Sequence, residues 1–410
     1  MNAVSNSPML MSGIRVLDFT WGGAGPFATK ALADHGAEVI KIETSTHLDF
    51  PRQMGPYVDK VKGINRSAYF SNRNSSKLGV TLNLKNKEAV ALAKKLVPSC
   101  DIVINNFRAG VLEKVGLGYQ DVAELKPDVI YVSMPLQGSG GPQAGYSGVG
   151  HTLNVLAAIY GLTAYEDGTV AGPGTNFPDH SVNPGHALVA IMAALIHRKR
   201  TGRGQYVEVS QLESTINLVG PHILAYSLNR SNPKPEGNTS PNAAPYGVFP
   251  CANNVWIAIS VNDDAQWAGF CDAVGEGWTK DKRFSSVEGR IGARAELATA
   301  TAEWTKSQDA YAAMKALQGK GVTAGVVQTA KDIVERDPQI AHRGHLVSVD
   351  GHAEMGPTIY NAPPFKLSRT PFHMSRPAPT LGQHNKDVFQ GMLGVSDEDM
   401  ERMKQADVFK

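Results

Sequence analysis

The sequence predicts an α/β fold with a parallel, doubly wound sheet, because strand and helix patterns alternate through the first 150 residues. The opening unit shows this best. An apolar run at residues 14–19 is followed by a glycine-rich turn at 22–26, a helical pattern at 27–35 and a second apolar run at 36–43. A β-turn-α-β unit of this kind is the usual start of a Rossmann-like sheet.

The alternation continues through the first half of the chain. The elements expected after residue 43 are, in order, a strand at 78–84, a helix at 87–96, strands at 101–105 and 129–134, a flexible segment at 137–142, a long buried helix at 183–198, a strand at 206–210 and a helical stretch at 210–228. Small residues of the long helix, Gly185 and Ala187 among them, would allow a neighbouring element to approach closely.

A change in composition predicts a second domain. Residues 229–245 are rich in Asn, Pro, Ser and Gly, which is typical of a linker or a ligand-binding loop. Two strands within 246–261, helical patterns up to 321 and a strand at 323–328 then indicate a smaller α/β domain. We therefore divide the chain into residues 1–228, 229–335 and 336–410, with strands and a final helix at 396–405 in the last segment.

Composition narrows the range of functions. The chain is 42% hydrophobic and 19% charged, and its net charge of +2 gives no reason to expect nucleic acid or a membrane surface as a partner. Its three cysteines are widely spaced, which favours neither a disulfide framework nor a zinc site, and we expect no metal. We recognise no signal peptide and no membrane span, so we expect a cytoplasmic protein.

The glycine-rich turn after the first strand raises the possibility of a dinucleotide site. The G-x-G-x-x-G fingerprint is absent, since Gly23-Ala24-Gly25 is followed by Pro26-Phe27-Ala28. Proline starts a helix well but removes one N–H that would bind phosphate. A structural turn, or a turn that also touches a ligand, is favoured over an NAD site.

Asp179 is the most informative residue of the chain. It lies just ahead of an apolar, small-residue run at 187–195, which ends in the basic cluster 197–200. A lone acid there either does chemistry or stabilises a helix N-terminus, an effect of about 0.3–1 kcal/mol. The other acids nearby in sequence, Glu166 and Asp167, are expected in a turn.

Several segments together resemble the class III CoA-transferase family, which includes formyl-CoA transferase and carnitine CoA-transferase. They cover nearly the whole chain. The matching segments are VLDFT at 16–20 with AGP at 24–26, GAEVIKIE at 36–43, NFR at 106–108, AL at 194–195 with Arg198 and TGRGQ at 201–205, and PTLGQH at 379–384.

The resemblance implies a fold and an assembly. The large Rossmann-like domain would be built from the N- and C-terminal segments, with the smaller domain inserted between them. Two subunits would thread through each other as interlocked rings, either as a homodimer or as a heteromer with a homologous subunit. Coenzyme A would be a co-substrate, and no cofactor would be bound permanently.

The resemblance also implies site residues. Asp179 occupies the position of the family's nucleophile, although its spacing of six residues to Gly185 is two longer than usual. The carboxylate would attack an acyl-CoA and form an aspartyl anhydride and then an aspartyl-CoA thioester. The residues expected to bind CoA are Gly23, Ala24, Asn74, Lys77, Asn106, Phe107, Arg108 and Lys114, with Gln137 and His151 as substrate-pocket residues.

Two departures from the family pattern concern these contacts. Gly23 stands where the family has glutamine, and Thr44 or Ser45 replaces an arginine after the second strand. The stretch from Asp179 to His186 resembles the branch that handles aryl or dicarboxylic acids, such as succinyl-CoA:benzylsuccinate CoA-transferase, which implies a role in aromatic acid metabolism. Trp21, Tyr146 and Tyr160 are candidates for an aromatic pocket.

A second function stays open within the same fold. The α-methylacyl-CoA racemases move the α-proton of an acyl-CoA with a His–Asp pair, and their histidine lies in a Gly-His dipeptide like Gly150-His151. The residues that follow, Thr152-Leu153-Asn154, differ from the racemase motif. His151 is therefore a catalytic base in this alternative and a pocket-lining or core residue otherwise.

Overall fold

The computed structural model describes residues 8–165, 167–232 and 234–410. Within them the chain forms two compact units. The first comprises residues up to 159 together with Pro173–Ser231 and Ala341–Lys410, and the second comprises Tyr160–Gly172 and Asn232–Ile340. The division of the chain into domains at 228 and 335 stays a prediction.

The strands of the described residues are short. They are β1 Arg15–Asp18, β2 Glu38–Glu43, β3 Leu78–Thr81, β4 Ile102–Asn105, β5 Ile130–Ser133, β6 Gln205–Glu208, β7 Tyr246–Pro250, β8 Trp256–Ser260, β9 Thr323–Val326, β10 Leu346–Val349 and β11 Thr358–Asn361.

The helices vary more in length. They are α1 Ala24–Asp34, α2 Ala68–Ser71, α3 Lys87–Leu96, α4 Tyr119–Leu125, α5 Gly150–Leu156, α6 Ile159–Leu162, α7 Asn183–Thr201, α8 Gln211–Ile216, α9 Gly220–Asn229, α10 Asp264–Val274, α11 Val287–Gly292, α12 Arg294–Lys306, α13 Ala310–Gly319, α14 Ala330–Glu335, α15 Pro338–Arg343 and α16 Asp397–Gln405.

The first unit is built on a six-stranded parallel sheet in the order β3-β2-β1-β4-β5-β6. The strand order reverses at β1, because the chain runs outward from β1 to β2 and β3 and then crosses back to β4 on the other side of β1. Ligands of open parallel sheets bind outside the carboxyl ends of the strands at such a switch point. The predicted α/β class and parallel sheet are confirmed.

Alternate residues of each strand pack into two different cores. On one face Val16, Val39 and Ile104 pack with residues of α1 and α7. On the other face Leu17, Ile40 and Val103 pack with α3, α4 and α16. Both faces are apolar because helices cover both, which explains why the strands read as continuous apolar runs.

The C-terminal segment belongs to the first unit. Val388 and Phe389 are fully buried in the same core as Leu17. Along the edge strand β3, the Gly79 N–H donates to His384 Nδ1 at 3.0 Å and the Thr81 N–H to the Asn385 side chain at 2.9 Å. The PTLGQH segment therefore covers a sheet edge that would otherwise be unpaired.

The second unit contains an antiparallel sheet in the order β7-β8-β9. Its core joins these strands to α10, α12 and α13 around Trp267, Phe270 and Leu297. In this unit Asp167 lies in the expected turn, with the Thr169 N–H donating to its carboxylate at 2.8 Å. Glu166 lies outside the described residues.

The expectation that the long helix at 183–198 is buried is wrong for the single chain. α7 buries a stripe that includes Ala187, Ile191 and Ala194, but Gly185 is exposed and Val189 is 72% exposed. The apolar composition of the helix therefore does not reflect burial on all sides. The helical stretch at 210–228 is also divided into α8 and α9 by a 3₁₀ turn at Asn217–Val219.

Candidate active site

Asp179 lies in a π-helical turn, Pro178–Val182, that runs directly into α7. Its backbone N–H donates to the Asn176 carbonyl at 2.9 Å. Its side chain is buried, and Oδ2 accepts a hydrogen bond from the Gly150 N–H at 3.0 Å. We call Pro178–Val182 the nucleophile turn.

Two glycines let the backbone approach this carboxyl group. A Cβ on Gly23 would lie 2.7 Å from the Asp179 Cβ, and a Cβ on Gly150 would lie 2.9 Å from Oδ2. Real side chains do not pack this closely, so both positions require glycine. Gly23 was expected to bind CoA, and the structure places it against the candidate nucleophile.

Burial sets the protonation of Asp179. Desolvation raises its pKa to about 6, against the opposing effects of the Gly150 N–H, the Arg73 charge, the Asn183 amide and the His151 charge. The buried Asn183 amide has no hydrogen-bond partner of normal geometry, yet it lies close enough to stabilise the carboxylate. Asp179 is therefore mostly ionised at neutral pH and needs little desolvation to act as a nucleophile.

The loop of residues 21–23 lies against Asp179 and is held in place by two side chains. We call it the glycine loop. The Gly22 N–H donates to Asp49 Oδ1 at 2.8 Å. Asn106 accepts from the Trp21 N–H and donates to the Trp21 carbonyl, each at 2.8 Å. The Asn106 amide thus pairs with the loop backbone as a neighbouring strand would.

Three buried ion pairs lie beneath this loop and the neighbouring strand ends. We call them the strand-end ion pairs, and they are Asp18–Lys77, Lys41–Asp49 and Glu43–Arg52, at 3.2, 3.2 and 2.7 Å. All six side chains are at most 1% exposed. Buried pairs of this kind are stable only when both partners are satisfied.

A cavity of about 170 Å³ opens beside Asp179. We call it the nucleophile cavity. Its lining consists of Trp21, Gly22, Gly23, Ala24, Phe50, Asn106, Arg108, Leu136, Ser147, Gly148, Val149, Asp179 and Gln211. Four predicted CoA-binding residues, Gly23, Ala24, Asn106 and Arg108, therefore meet the predicted nucleophile at one site.

A larger pocket of about 410 Å³ lies at the carboxyl ends of β1 to β4. We call it the strand-end pocket. Its lining is largely apolar and consists of Phe19, Trp21, Ile42, Glu43, Thr44, Thr46, His47, Leu82, Asn83, Leu84, Lys85, Phe107, Val111, Leu112 and Val115. The position is the one expected for a ligand of a doubly wound sheet. Trp21 is shared with the nucleophile cavity.

Lys85 is a candidate that the sequence analysis missed. Lys77 was expected to bind CoA, but its ammonium is fully buried and donates to Asp18, to the Pro26 carbonyl and to Asn74 Oδ1. All three of its N–H groups are thereby used, and Asn74 donates in turn to the Phe70 carbonyl. Lys85 lines the strand-end pocket instead, eight residues further along. Its place just after β3 is the signal that was available in the sequence.

The remaining predicted residues are dispersed. Phe107 packs edge-on against Trp21 in the strand-end pocket. Lys114 is exposed and lines neither cavity. Gln137 lines an open depression that also includes Tyr146, while Tyr160 belongs to the second unit. These placements leave the roles of Lys114 and Gln137 as predictions.

His151 is the second residue of α5 and is exposed, so the core alternative for it is wrong. Its charge lowers the pKa of Asp179, which places it within electrostatic reach of the carboxylate. Pocket-lining and catalytic roles therefore both stay open.

Within residues 8–165, 167–232 and 234–410, no three His, Cys, Asp or Glu side chains are grouped so that they could hold a metal ion. In the same part of the chain, every helix is too short or too polar to cross a membrane.

Comparison with known proteins gives matches to CoA-transferases. The model of CoA-transferase family III matches residues 11–385. The succinyl-CoA–D-citramalate CoA-transferase of Chloroflexus aurantiacus is 32% identical over 394 residues, which are 96% of this chain and 96% of that protein. The succinate–glutarate CoA-transferase of Agrobacterium fabrum is 32% identical over 396 residues, 95% of this chain and 97% of the relative.

A solved structure extends the similarity to the fold. The crystal structure of a CAIB/BAIF family protein from Brucella suis superposes with a TM-score of 0.86 at 28% sequence identity. The match covers 94% of this chain and 100% of the other.

Proposed function

The chain belongs to CoA-transferase family III and is an acyl-CoA:carboxylate CoA-transferase, and we propose that it transfers CoA from succinyl-CoA to a dicarboxylic acid through covalent intermediates on Asp179. The observation that carries the proposal is the Asp179 carboxylate, which is buried, mostly ionised and placed in a cavity beside two obligatory glycines.

The chemistry proceeds by exchange at two carbonyl groups. An Asp179 oxygen attacks the thioester carbonyl, the C–S bond breaks, and a mixed anhydride and the CoA thiolate result. The thiolate then attacks the Asp179 carbonyl of the anhydride, the anhydride C–O bond breaks, and the donor acid leaves as carboxylate. The acceptor carboxylate repeats these steps in reverse on the aspartyl-CoA thioester.

The Gly150 N–H supports the steps at the Asp179 carbonyl. It lies 3.0 Å from Oδ2, within the range for donors that stabilise a developing oxyanion. When thiolate or acceptor attacks the acylated Asp179, Oδ2 takes up the negative charge and this donor is already in place. We assign the first attack to the other oxygen, Oδ1.

We propose that the strand-end pocket holds the adenosine end of CoA. Its apolar lining, its aromatic residues Trp21 and Phe107, and its volume of about 410 Å³ suit a flat heterocycle. Lys85 supplies a cation for a phosphate in the same pocket as Thr44, one of the two residues that replace the family's arginine. Arg108, at the nucleophile cavity, suits the phosphates nearer the thioester.

The size of the nucleophile cavity favours a short acyl group. About 170 Å³ is small compared with usual ligand pockets, which suits a succinyl group and a short aliphatic dicarboxylate. Trp21 and Phe50 give the cavity aromatic walls, so benzylsuccinate, the acceptor suggested by the sequence branch, belongs in the same test.

An interlocked dimer is part of the proposal. Val189 on α7 and Leu224 and Leu228 on α9 are 72%, 58% and 71% exposed. Large apolar side chains that are this exposed in one chain are candidates for an interface. A second copy is the occupant we propose, with a homologous chain as the alternative, and light scattering of the purified protein would measure the assembly directly.

Trapping of the intermediate tests the function. The protein is incubated with succinyl-CoA, with and without hydroxylamine, then digested, and the peptide that contains Asp179 is weighed. We expect a CoA or hydroxamate adduct in the wild type and in Asp167→Ala, and none in Asp179→Ala. Asp167 is the matched control, because it is the other described acid near this position and is exposed.

Acceptors are compared in the same assay. Glutarate, citramalate and benzylsuccinate are each offered to the enzyme together with succinyl-CoA, and the new CoA ester is measured. The racemase alternative is supported by the proximity of His151 to Asp179. Exchange of the α-proton of an acyl-CoA into deuterated water without any Asp179 adduct, and its loss in His151→Gln, would establish that alternative instead.

A further inference from the structure

Arg73 carries a buried positive charge close to the nucleophile turn. Its side chain is 2% exposed. The guanidinium lies 3.5 Å from the centre of the Tyr69 ring and 5.2 Å from that of Phe27. Among the described residues, no carboxylate lies within 4.0 Å of it, and its Nε atom has no hydrogen-bond partner.

Such a charge is unfavourable for folding, so its presence calls for an explanation other than stability. A buried cation without an ion pair loses several kcal/mol of solvation, which stacking on aromatic rings offsets in part. The strand-end ion pairs show that this fold pairs its other buried cations in the same unit. Arg73 therefore stands out as a cation whose position is not explained by stability.

The donors of Arg73 lead towards Asp179. Nη1 donates to the Tyr69 carbonyl, and Nη2 lies 2.6 Å from His180 Nε2. A guanidinium only donates, so His180 Nε2 accepts and the imidazole is neutral with its proton on Nδ1. Burial and the Arg73 charge lower the pKa of His180 to about 4, so this arrangement persists at neutral pH.

His180 is also held from its other side. Its ring packs against Phe27 of α1 with centroids 5.2 Å apart at 62°. Because His180 follows Asp179 in the nucleophile turn, an imidazole fixed by Arg73 and Phe27 fixes the turn that carries the carboxylate.

We propose that Arg73 and His180 form a positioning pair for the nucleophile: Arg73 is the buried counter-charge that keeps Asp179 ionised, and its hydrogen bond to His180 orients the turn. This inference rests on the proposed role of Asp179 as nucleophile. The formal charges that act on Asp179 are those of Arg73 and, on α5, His151, while the Gly150 N–H and the Asn183 amide act as dipoles. Asp49 acts on Arg73 from the glycine-loop side.

The sign of the electrostatic effect is definite. Removal of the Arg73 charge disfavours the carboxylate and raises the pKa of Asp179 further above 6. Activity is then lost at low pH and recovered at high pH. A variant that is merely less well folded loses activity without such a pH dependence.

The experiment measures kcat/KM for succinyl-CoA between about pH 5 and 9 in Arg73→Met and Arg73→Lys. We expect Arg73→Met to move the acid limb upwards by about one pH unit, so that activity near pH 5 falls about tenfold more than activity near pH 9. Arg73→Lys keeps the charge and should move the limb by less than half as much.

Two further variants test the hydrogen bond. His180→Gln keeps an acceptor at the position of Nε2, whereas His180→Leu removes it. We expect His180→Leu to lower kcat about tenfold with little change in KM, and His180→Gln to recover most of that loss.

Arg290→Met is the matched control. Arg290 is equally buried, stacks on Trp267 at 5.3 Å and also has an unpartnered Nε, but its partners Asp264 and Phe284 all belong to the second unit. It should lose stability without a shift of the acid limb.

The outcomes separate the two proposals. If Asp179→Asn remains active, the proposed function fails. If Asp179→Asn is inactive but Arg73→Met shows the wild-type acid limb, only the positioning role of Arg73 fails. Should Arg73→Met not fold, equal kcat values for His180→Leu and His180→Gln would overturn the positioning pair.

Discussion

The buried charges of the first unit form two groups with opposite surroundings. In the strand-end ion pairs, each cation lies within 3.2 Å of a carboxylate. Around the nucleophile turn, Asp179 and Arg73 are similarly buried, but neither forms an ion pair among the described residues. In the first arrangement each buried charge has a partner, and under the proposed function the second keeps a carboxylate reactive at the expense of stability.

The largest effect is expected from breaking a strand-end pair. Asp18→Asn leaves Lys77 buried without a counter-charge and should lower the free energy of unfolding by about 3 kcal/mol or more at neutral pH. Lys77 and Lys41 hold the pKa of Asp18 below its ordinary value although burial alone would raise it. The stability that Asp18 contributes is therefore present above the pKa of the unfolded chain and lost as pH falls through the lower folded pKa.

Urea denaturation at several pH values would measure this effect. Glu88→Gln serves as the control, since its partner Arg402 is exposed and such surface pairs contribute little to stability. Equal midpoints for the two variants at neutral pH would contradict a structural role of the strand-end pairs.

The second effect has the opposite sign. The pKa of Asp179 is raised to about 6 in the folded chain, so its ionised form opposes folding at neutral pH, and this opposition disappears as pH falls below 6. Asp179→Asn should therefore raise the free energy of unfolding by about 2 kcal/mol near pH 7.5 while it abolishes transfer. Thermal unfolding of the variant and the wild type at about pH 7.5 and 5 checks both the sign and its pH dependence.

The smallest effect distinguishes two lysines that the sequence does not separate. Lys85→Met should raise KM for the CoA thioester about tenfold, because a charge-assisted contact to phosphate is lost, and leave stability unchanged. Lys77→Met should reduce stability, because Asp18 is left unpaired. Steady-state kinetics and unfolding curves of the two variants measure these effects. If Lys77 were the phosphate ligand, Lys77→Met and not Lys85→Met would raise KM.

Much of the fold was predictable because its signals are local. The predicted helix at 87–96 agrees with α3, and the apolar runs at 36–43 and 101–105 agree with β2 and β4 to within two residues at each end. Burial of α7 was not predictable, because its apolar residues surround the helix while one chain covers only a stripe of it.

The candidate site was predicted where short sequence motifs contribute to it, as at Gly23, Asn106 and Arg108, which line the nucleophile cavity with Asp179. An acid next to an apolar helix is unusual and drew attention to Asp179, and the family resemblance then identified it as the candidate nucleophile. Gly150 could not be recognised as its neighbour, because the two are 29 residues apart and meet only through the packing of α5 against the nucleophile turn.

The sequence by itself determined the α/β class and the order of the elements, since periodicity acts over a few neighbouring residues, and its resemblance to a known family identified the candidate nucleophile. Only the tertiary structure decided which charges are paired, which cations face a cavity, and how far burial raises the pKa of Asp179. These properties depend on distances between segments that are far apart in the chain, and electrostatic interactions in a desolvated interior change steeply with such distances.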